Sequence, residues 1–597
     1  MLRVRHAKAL LTLAAAAVAL ALGVAVLVPP GSQHVTALAA DSRTVRGSLH
    51  VHTNRSDGTG TVDDVAEAAR RAGLRFVILT DHGDGTRAPA PPVYRAGVLV
   101  VDAVEISTTG GHYVALGLGR APYRLAGEPR DVVDDVTRLG GFGVVAHPDS
   151  PKAELRWRDW TLPFEGIEWL NADSEWRNEG TLGVARALVT YWLRGPETIT
   201  AGFDRPDTPF AEWDALAQYR RVIGVAGHDA HARVGLRGNW EPGDRDVSLA
   251  LPSYETAFRA FSLRARLAVP PTGDASRDAT MLLDAVRAGH LYTVIDALAS
   301  PPAFRFLARS GTRVAEAGDD LPVADAAVLE ADVAPVPGVS LVLRRNGRVV
   351  AASDSGHLRF DHAPSRAGTV YRIEAKLPDA PGSPAVPWIV SNPIFVGPAL
   401  PRVRATITPA PAQETELVFD GRDASAWHVE QDPTSRASIS ANPAVPDPVA
   451  KPKHEDERSP TVLALTYRLS SGVPTGQYAA LVVGVGQGRL QRFTRVRFRA
   501  WADAPMRVSV QLRAPATGAR WLRSVVVDGE SEARYVTFAE MTPIHPAPSP
   551  IPLSAVDSIL FVVDTTNTPP GRQGTLWLDD VRLERAAEPQ VRTVSSK

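Results

Sequence analysis

From residue 44 to residue 302 the chain alternates short apolar runs with stretches whose apolar positions recur every three or four residues. The runs SLHVH, FVILTDH, LVVDAVEIS, HYVALGL, FGVVAHP, GIEWLN and VIGVAGHDAH predict strands. The spacing predicts helices over 62–72, 130–139, 210–219 and 280–288. Asp63, Asp64 and Glu67 suit the first turns of the first helix, and Gly73 suits its end. Strand–helix alternation implies a mostly parallel sheet, and about 260 residues is the size of one closed β/α barrel.

After Ser300-Pro301-Pro302 the texture changes. FRFLA, VSLVLRRNGRVVAA, YRIEAKL and WIVSNPIFV alternate as strands do, with Asn346-Gly347 as a hairpin turn. Residues 303–397 therefore read as an Ig-like β-sandwich. A Pro-rich linker follows over 398–414. Over 415–586, RVRFRAWA, RVSVQLRA, SILFVVD and GTLWLDDVRLE predict a second sandwich or jelly roll, with an exposed loop at 442–460. The fold class is α/β: a TIM-like barrel over 44–302, then two all-β sandwiches.

Residues 1–43 read as a signal peptide or signal anchor. Arg3, Arg5 and Lys8 precede an uncharged run over 9–28, and Ala37-Leu38-Ala39 offers a small-residue cleavage site. The run is just long enough to span a bilayer. The protein is expected to be exported, either secreted or anchored at the outer face of the cytoplasmic membrane.

Composition narrows the chemistry. Among 597 residues the formal net charge is −1, which gives no general attraction to nucleic acid. Cysteine is absent, so disulfides, thiolate metal sites and a lipoprotein cysteine are excluded. A metal must be held by His and carboxylate, which suits Zn, Mn or Fe.

Candidate ligands stand at or just past the ends of predicted strands: His50, His52, His82, Glu105, His147, Asn171, Asp229 and His231. In a β/α barrel those ends converge on one face. His50 and His52 point the same way from one strand, because side chains alternate with period two. Asp57 follows in a glycine-flanked loop, and His112 adds another imidazole. Seven of the 15 histidines, counting His228, fall in these short motifs. The pattern points to a site for two or three divalent ions. Arg233 is a candidate clamp on a substrate oxygen, Asn171 and His228 are candidate site residues, and Asp81 is a candidate partner fixing an imidazole.

HVHTNRSDG, TDH, the Glu105 and His112 pair, AHP and GHDAH resemble the motifs of the polymerase and histidinol phosphatase (PHP) family. The resemblance covers 45–299. It implies a distorted seven-stranded β/α barrel with up to three metals. By that likeness His50, His52, Glu105 and Asp229 would hold the first, Glu105, His112 and His147 the second, and Asp57, His82 and His231 the third. LLDAVRAGHLYTVIDALASPPAF and a β-region ending PWIVSNPIFV resemble a secreted, carbaryl-hydrolase-like branch.

Water activated by such ions would serve a phosphoesterase on a small-molecule substrate, or a carbamate or carboxylic ester hydrolase. FDG (419–421) and LWLDDVRLE (576–584) resemble galactose-binding-like jelly rolls. That likeness implies a structural calcium at Asp579 or Asp580. Trp427 or Trp501 could stack on a glycan, or could be core. A non-catalytic surface glycan-binding protein is the remaining alternative.

Overall fold

Strand β1 (Thr44–Leu49) opens with β-branched Thr44 and Val45 and ends fully buried at Leu49, immediately before His50. It belongs to a computed structural model that describes residues 23, 27–35, 41–235, 248–249, 251–300, 304–323, 325–334, 336–365, 367–398, 400, 410–419, 424–441, 462–472, 475–544 and 547–587. The chain divides into two compact units, Met1–Arg120 with Glu128–Arg404, and Ala121–Gly127 with Ala405–Lys597.

In the first unit, helix α1 (Val62–Arg71) starts at a reciprocal cap. Thr61 Oγ1 accepts from Asp64 N at 3.2 Å, and Asp64 Oδ2 accepts from Thr61 N at 2.9 Å. The helix buries Val65, Ala66, Ala68 and Ala69 in a cluster with Val77, Leu79, Val98 and Val100. Gly73, at φ 76°, supplies the left-handed turn that sends the chain back into β2 (Phe76–Leu79). β2 pairs in parallel with β1 and with β3 (Val98–Asp102).

A second sheet contains β4 (Val104–Thr108), β5 (Gly111–Leu116), β6 (Phe142–Ala146), β7 (Gly166–Asn171) and β8 (Ile223–Gly227), in the spatial order β8-β7-β6-β5-β4. Only β6-β7-β8 is parallel. β4-β5-β6 is antiparallel, which corrects the expectation of a mostly parallel sheet here. The cause is a tight turn: Thr108 Oγ1 donates to Gly111 O at 2.6 Å, folding β4 directly onto β5 without a helix. Two isolated parallel bridges, Val51 with Ala230 and His82 with Glu105, link this sheet to the first. The described residues form no continuous closed sheet.

The other helices of the unit are α2 (Pro129–Arg138), α3 (Ala172–Asn178), α4 (Thr181–Thr190), α5 (Gly195–Thr200), α6 (Asp207–Leu216), α7 (Tyr254–Ala260) and α8 (Ala275–Ala288). α6 begins before the expected residue 210 because Pro209, in its first turn, loses no intrahelical bond there. α8 begins before residue 280 because Asp274 caps it, accepting from Arg277 N at 3.0 Å.

β9 (Ser262–Arg266) runs antiparallel to β1, and β10 (Leu291–Val294) antiparallel to β9. β10 also pairs with Ile389–Ser391, so this sheet runs across the change of texture at residue 302. Beyond it, Phe304–Ser310, Arg313–Glu316, Ala327–Val333 and His357–His362 make a four-stranded antiparallel sheet.

The second unit has two six-stranded sheets around one core containing Trp427, Phe498, Trp521 and Phe561. The 442–460 stretch, residues 401–409 of the linker, Asp420 and Gly421 lie outside the described residues. So does most of the 9–28 run. Among the described residues no helix is long and apolar enough to cross a membrane.

Candidate metal centre

Strand ends deliver the ligands, and the backbone turns sharply as it does so. His50, His147 and Asp229 have φ values of 66°, 29° and 48°, in a region L-residues avoid. All nine expected ligands come together. They form four overlapping groups that could each hold a metal ion: His52, Asp57, His82 and His231; His50, His52 and Asp229; His50, Glu105 and His147; His82, Glu105 and His112.

Glu105 is the hub. Its Oε2 lies 3.3 Å from His50 Nε2, 3.2 Å from His52 Nε2 and 3.2 Å from His82 Nδ1. Its Oε1 lies 2.9 Å from both His112 Nδ1 and His147 Nε2. One carboxylate thus faces five imidazoles, the disposition of a bridging ligand. Asp229 Oδ1 is 3.3 Å from Nε2 of both His50 and His52. Asp57 Oδ2 is 3.1 Å from His231 Nε2 and 3.5 Å from His82 Nε2.

The donor set fits divalent ions. Nε2 of His50, Nε2 of His52 and Nδ1 of His82 are buried without a hydrogen-bond partner. Such nitrogens are seldom left unpaired, and their lone pairs are what a cation takes. Burial opposes the imidazolium of His50, yet Asp229, Glu168 and Glu105 outweigh it and hold its pKa well above the usual value. Burial also opposes ionised Glu105, and His82, His50 and His112 outweigh it. His112 is the exception: burial pushes its pKa down despite Glu105. Protons and cations therefore compete for the same nitrogens.

Sequence reasoning missed Glu168. It lies on β7, is fully buried, and its Oε1 stands 2.6 Å from His50 Nδ1. Its Oε2 accepts from His147 N and from Asn171 Nδ2, both at 2.8 Å. A carboxylate at that point selects the His50 tautomer with its proton on Nδ1 and turns Nε2 to the cluster. Arg177 was also missed. Burial opposes its charge, but Asp173, and then Asp229 and Asp57, raise its pKa. It is ion-paired with Asp173 on the same helix.

The remaining candidates fall outside the cluster. Asn171 caps α3, its Oδ1 accepting from Ser174 N at 3.0 Å, and its Nδ2 reaches Asp229 Oδ2 at 3.4 Å. It braces ligands. The structure does not bring His228 to the site. Its Nδ1 lies 2.9 Å from Ser48 Oγ, its Nε2 lies 3.0 Å from Phe261 O, and burial lowers its pKa to about 3. Its ring stacks on Phe261. Among the described residues Asp81 is not hydrogen-bonded to an imidazole. It accepts from Thr53 N at 2.7 Å, Thr53 Oγ1 at 2.8 Å and Ser56 Oγ at 2.8 Å, and so holds the loop that carries Asp57. Arg233 stands half-buried two residues beyond His231.

In the second unit the expected tryptophans are core. Trp427 packs against Phe419 and Phe561, and Trp501 stacks on its cross-strand partner Trp577. Asp580 is paired with Arg497 and Arg582, and Asp579 Oδ1 accepts from Asp580 N at 2.7 Å. Among the described residues neither aspartate belongs to a group of three or more His, Asp and Glu side chains that could hold a metal ion.

Residues 48–106 match the family model described as PHP domain, which supports placing that segment in the family. No curated protein matches the chain. Among solved structures, a family 11 carbohydrate-binding module from Clostridium thermocellum, in complex with a mixed-linked tetrasaccharide, is similar at 14% identity and a TM-score of 0.23, covering 29% of this chain and 97% of that one. An exo-beta-agarase is similar at 14% identity and a TM-score of 0.21, covering 29% of this chain and 25% of that one.

Proposed function

We propose that the protein is an exported metal-dependent hydrolase whose substrates are small phosphoesters. The observation that carries this reading is the two-sided Glu105 carboxylate, with His50, His52 and His82 on one oxygen and His112 and His147 on the other. Divalent ions bound there would lower the pKa of a coordinated water and take up substrate oxygens.

The chain's own residues do the rest. Glu168 and Asn171 orient ligands from behind. Arg177, ion-paired with Asp173 on α3, is one candidate for meeting an anionic substrate. Arg233 remains a second candidate for that task. The barrel reading draws on the two bridges, Val51 with Ala230 and His82 with Glu105, which join the sheets at the ligand-bearing strand ends. Export rests on the uncharged 9–28 run behind a basic cluster.

Carbamate and carboxylic ester hydrolysis need the same cluster and form the second reading. The full chain, loaded in turn with zinc, manganese or iron, should hydrolyse phosphate monoesters or diesters and lose that activity in Glu105→Gln. Turnover confined to aryl esters or carbamates would favour the second reading. Absence of turnover on every class, with glycan retained, would favour a binding protein.

A further inference from the structure

Helix α4 breaks the rule that a globular helix hides its apolar residues. Of its ten residues only Thr190 is buried. Leu182 is 87% exposed, Val189 58% and Leu188 48%, and just beyond the helix Trp192 is 74% and Leu193 60% exposed. The other large apolar residues exposed among those described are scattered along the chain. An apolar face of this kind marks a site for a partner or a membrane.

Two features select the membrane. From 181 to 194 the chain carries Arg186 and Arg194 and no acidic residue, a charge pattern suited to anionic headgroups. The same two arginines hold the N-terminal segment of the chain. Arg186 Nε donates to Leu27 O, and Arg194 Nη1 to Pro29 O, both at 2.8 Å. The uncharged 9–28 run, about a bilayer in length, therefore ends where α4 stands. Leu27 is itself 43% exposed and prolongs the apolar surface. Trp192 supplies the side chain favoured at headgroup depth.

We propose that α4 and the Trp192–Leu193 pair form a docking face for an anionic phospholipid bilayer, seated on the membrane that the 9–28 run enters. The proposal rests on that run being retained as an anchor and is independent of the metal chemistry. Docking adds a second contact to a single anchor and fixes the orientation of the first unit on the membrane.

The absence of cysteine makes the test direct. Leu182→Cys, Leu193→Cys and, as an exposed control in the same unit, Val349→Cys are each made in the full chain and labelled with a fluorophore. The labelled chains are reconstituted into phosphatidylcholine–phosphatidylglycerol vesicles. Labels at 182 and 193 should be quenched by brominated acyl chains, and aqueous iodide should reach them at least about fivefold less than the control. Equal iodide access at all three sites in vesicle-bound protein overturns the docking face while leaving the anchor. Failure to bind vesicles overturns both. Shielding already present without vesicles also overturns it: if independent of concentration it assigns the face to residues 1–26, and if it grows with concentration to a second copy of the chain.

Discussion

Nδ1 of His50 lies 2.6 Å from Oε1 of Glu168, and this contact decides which nitrogen His50 turns to Glu105 and Asp229. Glu168→Gln keeps the shape and removes the charge. Supporting carboxylates of this kind contribute about 10–100-fold to metal affinity. A loss of that size is expected in metal titrations, with unchanged circular dichroism. An affinity equal to the parent's would remove Glu168 from the site.

The same carboxylate leaves no room behind it. A Cβ built on Gly227 would stand 1.9 Å from Glu168 Oε1. Gly227→Ala must therefore push Glu168 off His50. It is expected to reproduce the metal defect of Glu168→Gln and to cost about 1–3 kcal/mol in denaturant unfolding. Wild-type metal binding in this variant would show that Glu168 has another seat.

Glu105→Gln tests the hub. With five imidazoles on one carboxylate, loss of its charge should lower the metal content of the purified protein by at least one ion and hydrolysis by at least about a thousandfold. Chelation of the parent should lower its Tm, and the variant should respond less. A variant with full metal content in elemental analysis would contradict a bridging role.

Glu175, buried on α3, gives a pH signature away from the ligands. Burial raises its pKa to about 8, the charges of Asp149 and Asp204 add to this, and the bond from Asp204 N at 3.0 Å works against it. Its usual value is 4.5, so the folded protein keeps a proton that the unfolded chain releases. The contribution of Glu175 to stability is thus fully present below its usual value and is lost as pH rises to about 8. Glu175→Gln cannot ionise. It should gain at least about 3 °C in Tm over the parent between pH 5 and pH 9. A Tm difference that stays flat with pH would refute the assignment.

The ligands were legible because they stand at strand ends, although the strand alternation expected of His50 and His52 does not hold, since β1 stops at Leu49 and His50 turns left-handed. Glu168 was not, since it sits within GIEWLN among residues read simply as strand. Its signal was there: β7 is buried at all six positions, and a carboxylate inside such a strand needs a partner. The antiparallel β4-β5 turn escaped because strand–helix alternation elsewhere suggested a crossover. α3, α4 and α5 escaped because the apolar residues of 172–200 are not set off by polar ones at a regular helical spacing. Alternation placed Trp501 on one face of its strand but could not say that Trp577 would cover it.

The left-handed backbone at His50, His147 and Asp229 costs about 1–2 kcal/mol at each residue. Glycine at any of the three would relax the chain and delete a ligand. That strain persists because the contacts around each ligand hold it in place, His50 against Glu168 and Asp229 against His50 and His52.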